Sequence, residues 1–361
     1  MRTAQAPYLE RLDHLRLLAA ALVVCFHWFH RFIPDLRPNN PLLSLIDEGH
    51  TGIGLFMVIS GFIFTVITHG ARIDYTGFLR NRVLRIYPLF LFGVFVSLTI
   101  GTYNEHRNYG LLTFLEWVLP FRASTVSEST YFVQLWTIWV EFQFYLLFPF
   151  FKAFAERHGA RYLVGWIVML VLIRAAIFAL TGSVRFVAYE SLLGRLDQFL
   201  IGMLAAGLYL NLPRVASNPL HLPAATLTVL TLLHWFNRQG GHVRMDASWW
   251  IVWTTVEALA WAWVMLAWVN FRWRAPRIVE SSLATLGAMS FSVYVMHNFV
   301  LAVLHKLIGV PALHPDPIAA AALSAVLVVL PLVLLAAWPT WMLVERPFLS
   351  LRGRYLRTDP R

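Results

Sequence analysis

Seven ionisable side chains interrupt stretches that are otherwise apolar: Arg16, His27, Glu141, Arg174, Asp197, Glu257 and His297. A charge at mid-bilayer costs ~2.5–3.5 kcal/mol on insertion scales, so each such residue needs a partner or a function. An imidazole takes a proton from a hydroxyl near neutral pH, the ordinary equipment of a general base. Arg16 and His27 are eleven residues apart. On one helix that is ~16 Å along the axis and close to three full turns, so both face the same side. His30 and Arg31 extend this stripe. A histidine in an apolar run is as readily a core residue bonded to a neighbouring helix, and its shared face with Arg16 shifts that balance only slightly.

Arg82 and Arg85, three residues apart, are neighbours on one helical face. Guanidinium forks match phosphate oxygens, and the same two residues equally serve as positive charges that set topology. Glu141 stands one turn into an apolar run that opens at Leu135. It has three open roles: orienting an imidazole, binding a sugar hydroxyl, or pairing with an arginine. Glu345 is expected to be a structural partner of nearby arginines rather than a catalytic group. There is no G-x-S-x-G elbow, P-loop, Rossmann glycine motif or H-E-x-x-H. Histidines are not grouped with carboxylates at metal-ligand spacing, so no metal or prosthetic group is expected.

The elements that must position these residues are membrane helices. Of the 361 residues, 58% are hydrophobic and 13% charged, roughly half the charged fraction of a soluble domain. The composition implies an all-α, polytopic transmembrane bundle forming a single domain over residues 1–361. Ten spans are expected, at about 14–33, 52–69, 83–101, 135–154, 162–180, 195–211, 221–236, 249–270, 283–308 and 318–343. The seventh is short and the weakest. The longest connection, 102–134, holds an apolar stretch from Leu111 to Phe121 that reads as an interfacial or re-entrant segment. The first apolar run lacks a small-residue cleavage site and reads as a retained helix.

The net charge of +10 comes from 27 arginines and two lysines, most of them in short loops. One alternating set of loops carries 19 of these charges and the other nine, with Arg174 inside a span. The richer set should be cytoplasmic, placing both termini inside. The charge is thus an orientation signal, and no nucleic-acid partner is expected. Cys25, the only cysteine, excludes an intrachain disulfide and reads as a buried thiol.

Several stretches together resemble the acyltransferase-3 family of membrane O-acyltransferases. Asp13-His14-Leu15-Arg16 through His27 is similar to that family's Arg-x10-His segment. Gly54 to Phe62 is similar to its Phe-x-Leu-Ser-Gly-Phe stretch, and Arg82-Val83-Leu84-Arg85 to its Arg-x-x-Arg motif. Trp136 to Pro149, Ser290 to His297 and Glu345-Arg346-Pro347 complete the set in order, from about Leu12 to Phe348. His14 stands where the family often has glycine, and Phe142 where a second acidic residue is frequent, so only Glu141 is available there.

The resemblance implies transfer of an acyl group, commonly acetyl from acetyl-CoA, to a hydroxyl of an extracytoplasmic glycan or its lipid-linked precursor. It implies catalytic roles for His27 and Arg16 and donor binding at Arg82 and Arg85; beside them Glu141 is expected to join the catalytic group by orienting an imidazole or the acceptor. Gly52, Gly54, Ser60 and Gly61 are expected to leave room for the pantetheine arm. The stand-alone members lack a fused extracytoplasmic hydrolase-like domain; this chain ends at Arg361 without one, so a separate extracytoplasmic partner or direct transfer is expected. The expected setting is the lipid of the cell membrane, the inner one in a bacterium. The rival from another class is a transporter or flippase for a sugar or lipid-linked precursor, which needs buried His, Arg and Glu but no cytoplasmic arginine pair.

Overall fold

The computed structural model describes residues 8–33, 38–104, 110–119, 133–211, 218–244, 246–272, 275–309, 311 and 313–357. Among them the chain is helical almost throughout. In order the helices are α1 (Glu10–Phe32), α2 (Pro41–Asp47), α3 (Gly52–Thr68), α4 (Tyr75–Asn104), α5 (Leu111–Val118), α6 (Trp136–His158), α7 (Ala160–Thr181), α8 (Arg185–Glu190), α9 (Leu192–Asn211), α10 (His221–Arg238), α11 (Trp253–Asn270), α12 (Arg277–Ala288), α13 (Ser290–Ile308) and α14 (Pro317–Ser350). Among the described residues eight of these are long and apolar enough to cross a membrane, with the second of the eight, α3, counted from Gly49. Helices α10 and α11 overlie the expected seventh and eighth spans but fall outside the eight.

The helix ends follow local chemistry. Asn40 caps α2 by accepting from the backbone N–H groups of Leu42 and Leu43, with Pro41 at the first helical position. Asp316 and Pro317 open α14 in the same way. Gly182, at φ +73°, closes α7 in the left-handed conformation that a Cβ disfavours.

Close packing depends on small residues, as in membrane bundles generally. Where α3 crosses α9, a Cβ on Gly61 would strike the Phe199 carbonyl, and one on Gly202 would strike that of Val58. Gly52 lies against the Ala19 carbonyl and Gly54 against Glu257. These glycines therefore admit neighbouring helices rather than a pantetheine arm, which corrects the expectation above. Ser60 alone of the four lines a cavity.

Two further departures bear on the site. The expected ninth span is two helices, because Met289 ends α12 and Ser290 starts α13. In α14, π-helical turns at Ala325–Val329 and Trp341–Glu345 interrupt the ordinary hydrogen-bond ladder. Of the Leu111–Phe121 stretch, Leu111–Val118 is helical, while Pro120 and Phe121 lie outside the described residues. Among the described residues the one sheet is a pair of two-residue strands, Arg72–Ile73 antiparallel to Leu356–Arg357, which pins the segment after α14 beside the start of α4.

Candidate active site

A cavity of about 600 Å³ opens among α1, α3, α4, α6, α13 and α14. Five arginines line it, Arg16, Arg82, Arg85, Arg346 and Arg352, against two carboxylates, Asp13 and Glu141. The structure thus gathers four of the five residues singled out from sequence, Arg16, Glu141, Arg82 and Arg85, around one space. The fifth, His27, is not among the lining residues.

Each arginine is held differently. Arg16 donates to Asp13 at 2.8 Å, and Tyr8 donates to the other oxygen of the same carboxylate. Burial and then the Asp13 carboxylate push the Tyr8 phenol up, so it stays protonated as a donor. Arg85 is tied to Glu345, a carboxylate that also accepts from Ser292 Oγ at 2.6 Å. Glu345 closes the π-helical turn of α14 and is itself buried. Its structural role with an arginine is as the sequence implied.

Arg82 differs from both. Its guanidinium stacks over the rings of Phe64, Phe78 and Tyr145, at 4.8, 5.3 and 5.8 Å from their centroids. Among the described residues no carboxylate answers it, and its buried Nε has no partner. Stacking holds the plane of the fork while leaving its donors unspent. Arg352 lies just beyond α14. Burial, and then repulsion from Arg85 and Arg82, push its guanidinium down to about 10. Such mutual repulsion marks a surplus of positive charge that a polyanion would relieve.

Glu141 accepts from Ser60 Oγ at 3.1 Å and from the Tyr145 hydroxyl. Among the described residues neither an imidazole nor an arginine is bonded to it. The carboxylate instead sets two hydroxyl-bearing side chains of α3 and α6 within the cavity wall.

His27 is not among the residues lining the cavity, and it connects to them through His297 and Tyr294. Tyr294 lines the cavity, and its ring is 5.6 Å from that of His297, which in turn is 4.9 Å from that of His27. The Tyr294 hydroxyl is held by the Gln134 carbonyl at 3.1 Å and by Thr137 Oγ1 at 2.7 Å. A carbonyl oxygen only accepts, which assigns the histidine protons. His27 Nδ1–H donates to Val23 O at 2.9 Å, and His297 Nδ1–H to Tyr294 O at 2.6 Å. His297 Nε2 then faces His27 Nδ1 at 3.3 Å as a second acceptor. The Nε2 lone pair of His27 is left to act as a base.

The remaining intramembrane charges are paired. Arg174 and Asp197 form a fully buried ion pair at 2.8 Å, and Arg195 meets Glu257 at 3.5 Å. Both belong to the packing of α7, α9 and α11. Sequence reasoning missed Arg352 and Tyr294 as parts of the site. In the sequence Arg352 reads as one of the topology charges after the last apolar run, and Tyr294 carries no charge to flag it.

The family model described as an acyltransferase domain, the acyltransferase-3 model, matches residues 9–342. No curated protein and no solved structure matches the chain.

Proposed function

Since the chain belongs to the acyltransferase-3 family and is a multi-pass membrane acyltransferase, we propose that it moves an acetyl group from acetyl-CoA to a hydroxyl of an extracytoplasmic or lipid-linked glycan. The observation that carries the donor side is Arg82: an unpaired, stacked guanidinium in a cavity with four other arginines. The phosphates of CoA are the anions such a fork fits. In this reading the arginine-rich end faces the cytoplasm, in the inner membrane of a bacterium, and the thioester lies along the cavity toward Tyr294.

The chemistry then falls to His27. Its Nε2 removes the proton of the acceptor hydroxyl as the oxygen attacks the thioester carbonyl. The C–S bond breaks, and the thiolate of CoA leaves and recovers the proton from the imidazolium. A general base of this kind is worth ~10²–10⁴-fold in rate. A relay in which His27 is itself acylated uses the same lone pair. In either case the thioester has to reach past the present cavity wall, because His27 is not among its lining residues. Arg16 sets the electrostatics of the cavity, and Glu141 keeps Ser60 and Tyr145 in place.

Purified protein is incubated with radiolabelled acetyl-CoA. Transfer of label, or slow thioester hydrolysis, that disappears in His27→Ala supports this reading. An intact thioester together with no binding of CoA overturns it and leaves carriage of a sugar without covalent chemistry. The acceptor is tested separately, by mass spectrometry of envelope glycans from cells with and without the gene. Unchanged acetylation would exclude a glycan.

A further inference from the structure

At the end of the bundle away from the five arginines, the chain brings together side chains that sequence spacing keeps apart. Glu48 follows α2, His50 lies in the 3-10 turn before α3, and His242 is in the turn after α10. One ligand atom from each, the Glu48 carboxylate and one ring nitrogen from each histidine, lies within 4.8 Å of the others. His50 Nε2 is 2.8 Å and His242 Nδ1 3.2 Å from the same oxygen, Glu48 Oε2.

From this geometry we infer a binding site for a divalent transition-metal ion of the zinc class, with Glu48, His50 and His242 as its ligands.

Three observations support it. The first is spacing. Donors ~2.0–2.1 Å from a tetrahedral zinc stand ~3.3 Å apart; the two separations at Glu48 Oε2, 2.8 and 3.2 Å, lie within about half an ångström of that, and the two histidine nitrogens lie within 4.8 Å of each other. The second is unbalanced burial. Asp47 and Glu48 are 2% and 1% exposed, yet among the described residues the side-chain partners of both are imidazoles and the Asn237 carboxamide, with no lysine or arginine. Two buried carboxylates without a strong cation are costly, and a divalent ion supplies the missing charge. His50 Nδ1 is also buried without a partner. The third is support around the ligands. Asn237 Nδ2 donates to Glu48 Oε1 at 2.9 Å, fixing the carboxylate. The backbone at Gly241, φ +56°, lies so close to that oxygen that a Cβ there would collide with it. Glycine therefore lets the turn close and delivers His242.

Two histidines and one carboxylate are the donor set of catalytic zinc sites, which keep a fourth position for water or a substrate oxygen. The Phe26 ring is 5.0 Å from that of His27, 5.3 Å from that of His50 and 5.1 Å from that of His242. The ion would thus sit one side chain from the proposed base. Metal binding itself does not depend on the acyl-transfer reading.

The test uses full-length protein in detergent, stripped with a chelator and freed of any histidine tag. It is titrated with Co²⁺, followed by its visible absorption, and then with Zn²⁺ as competitor. The expected result is saturable binding with the intense d–d bands of a tetrahedral site, displaced by zinc. His242→Ala, in a part-exposed turn, should weaken binding by ~10²-fold or more, and Asn237→Ala by ~10–100-fold. Size-exclusion profiles of the metal-free proteins show whether each variant is folded. Failure of the folded wild type to bind either ion below millimolar concentration overturns the proposal, as does equal binding by His242→Ala. Loss of the metal with acyl-CoA turnover intact would leave the site standing and separate it from catalysis.

Discussion

Arg82 and Arg85 share a helical face but respond to different substitutions. Removing Arg85 strands Glu345, a buried carboxylate, with only Ser292 to bond. Breaking a buried pair costs ~3–5 kcal/mol; because Arg85 is partly exposed, the lower end is expected for Arg85→Ala. Its melting temperature in detergent should fall clearly, and Glu345→Gln added to it should restore part of the loss. Arg82→Ala strands no carboxylate. Its effect should be a ~10–100-fold rise in the KM for acetyl-CoA, the worth of one or two charge-assisted hydrogen bonds, with the melting temperature little changed. Arg82→Lys should recover little, since an ammonium neither forks nor stacks as a guanidinium does. His297→Ala removes the second acceptor facing His27 Nδ1. Turnover should drop by up to ~10²-fold at unchanged donor KM. A change in KM alone would place His297 in binding instead.

At the scale of elements, the crossing of α3 and α9 is the feature most exposed to test. Gly61→Leu would drive a side chain into the Phe199 carbonyl, and overpacking of this kind costs ~1–3 kcal/mol or more. Lower expression and a lower melting temperature are expected, whereas Gly165→Leu, on a helix with nothing within 4 Å of a Cβ, should be neutral. The helices were legible in the sequence because apolar length is a local property. Arg16, Glu141, Arg82 and Arg85 were legible as a group through their motifs and their cost in apolar surroundings. What glycine does at a crossing was not, since it depends on which backbone lies opposite. The break at Met289 was equally hidden, because an apolar run reads as continuous whether or not its hydrogen bonds are. The approach of Glu48 to His242 lay further out of reach, across 194 residues.

For the molecule as a whole, orientation is the quantity to measure. Cys25 is buried, so a Cys25→Ser background should cost little and leave no native thiol to label. Val243→Cys and Arg354→Cys are exposed positions at opposite ends. On intact cells a membrane-impermeant maleimide should label the first at once and the second only after permeabilisation. The reverse pattern would turn the molecule over and place the arginine cavity outside. The arginine end has a further property. Its wall takes Tyr8 to Arg16 from the beginning of the chain and Trp341 to Arg352 from near its end. Asn81 clasps Gly353 by paired hydrogen bonds of 2.7 and 3.0 Å, and the two short strands lie alongside. The order of synthesis follows from this. The membrane-crossing helices before α14 can enter the membrane as they leave the ribosome, but the cavity has no complete wall until residue 352 has emerged. A nascent chain, or one cut short before α14, would be inserted and yet lack a complete cavity.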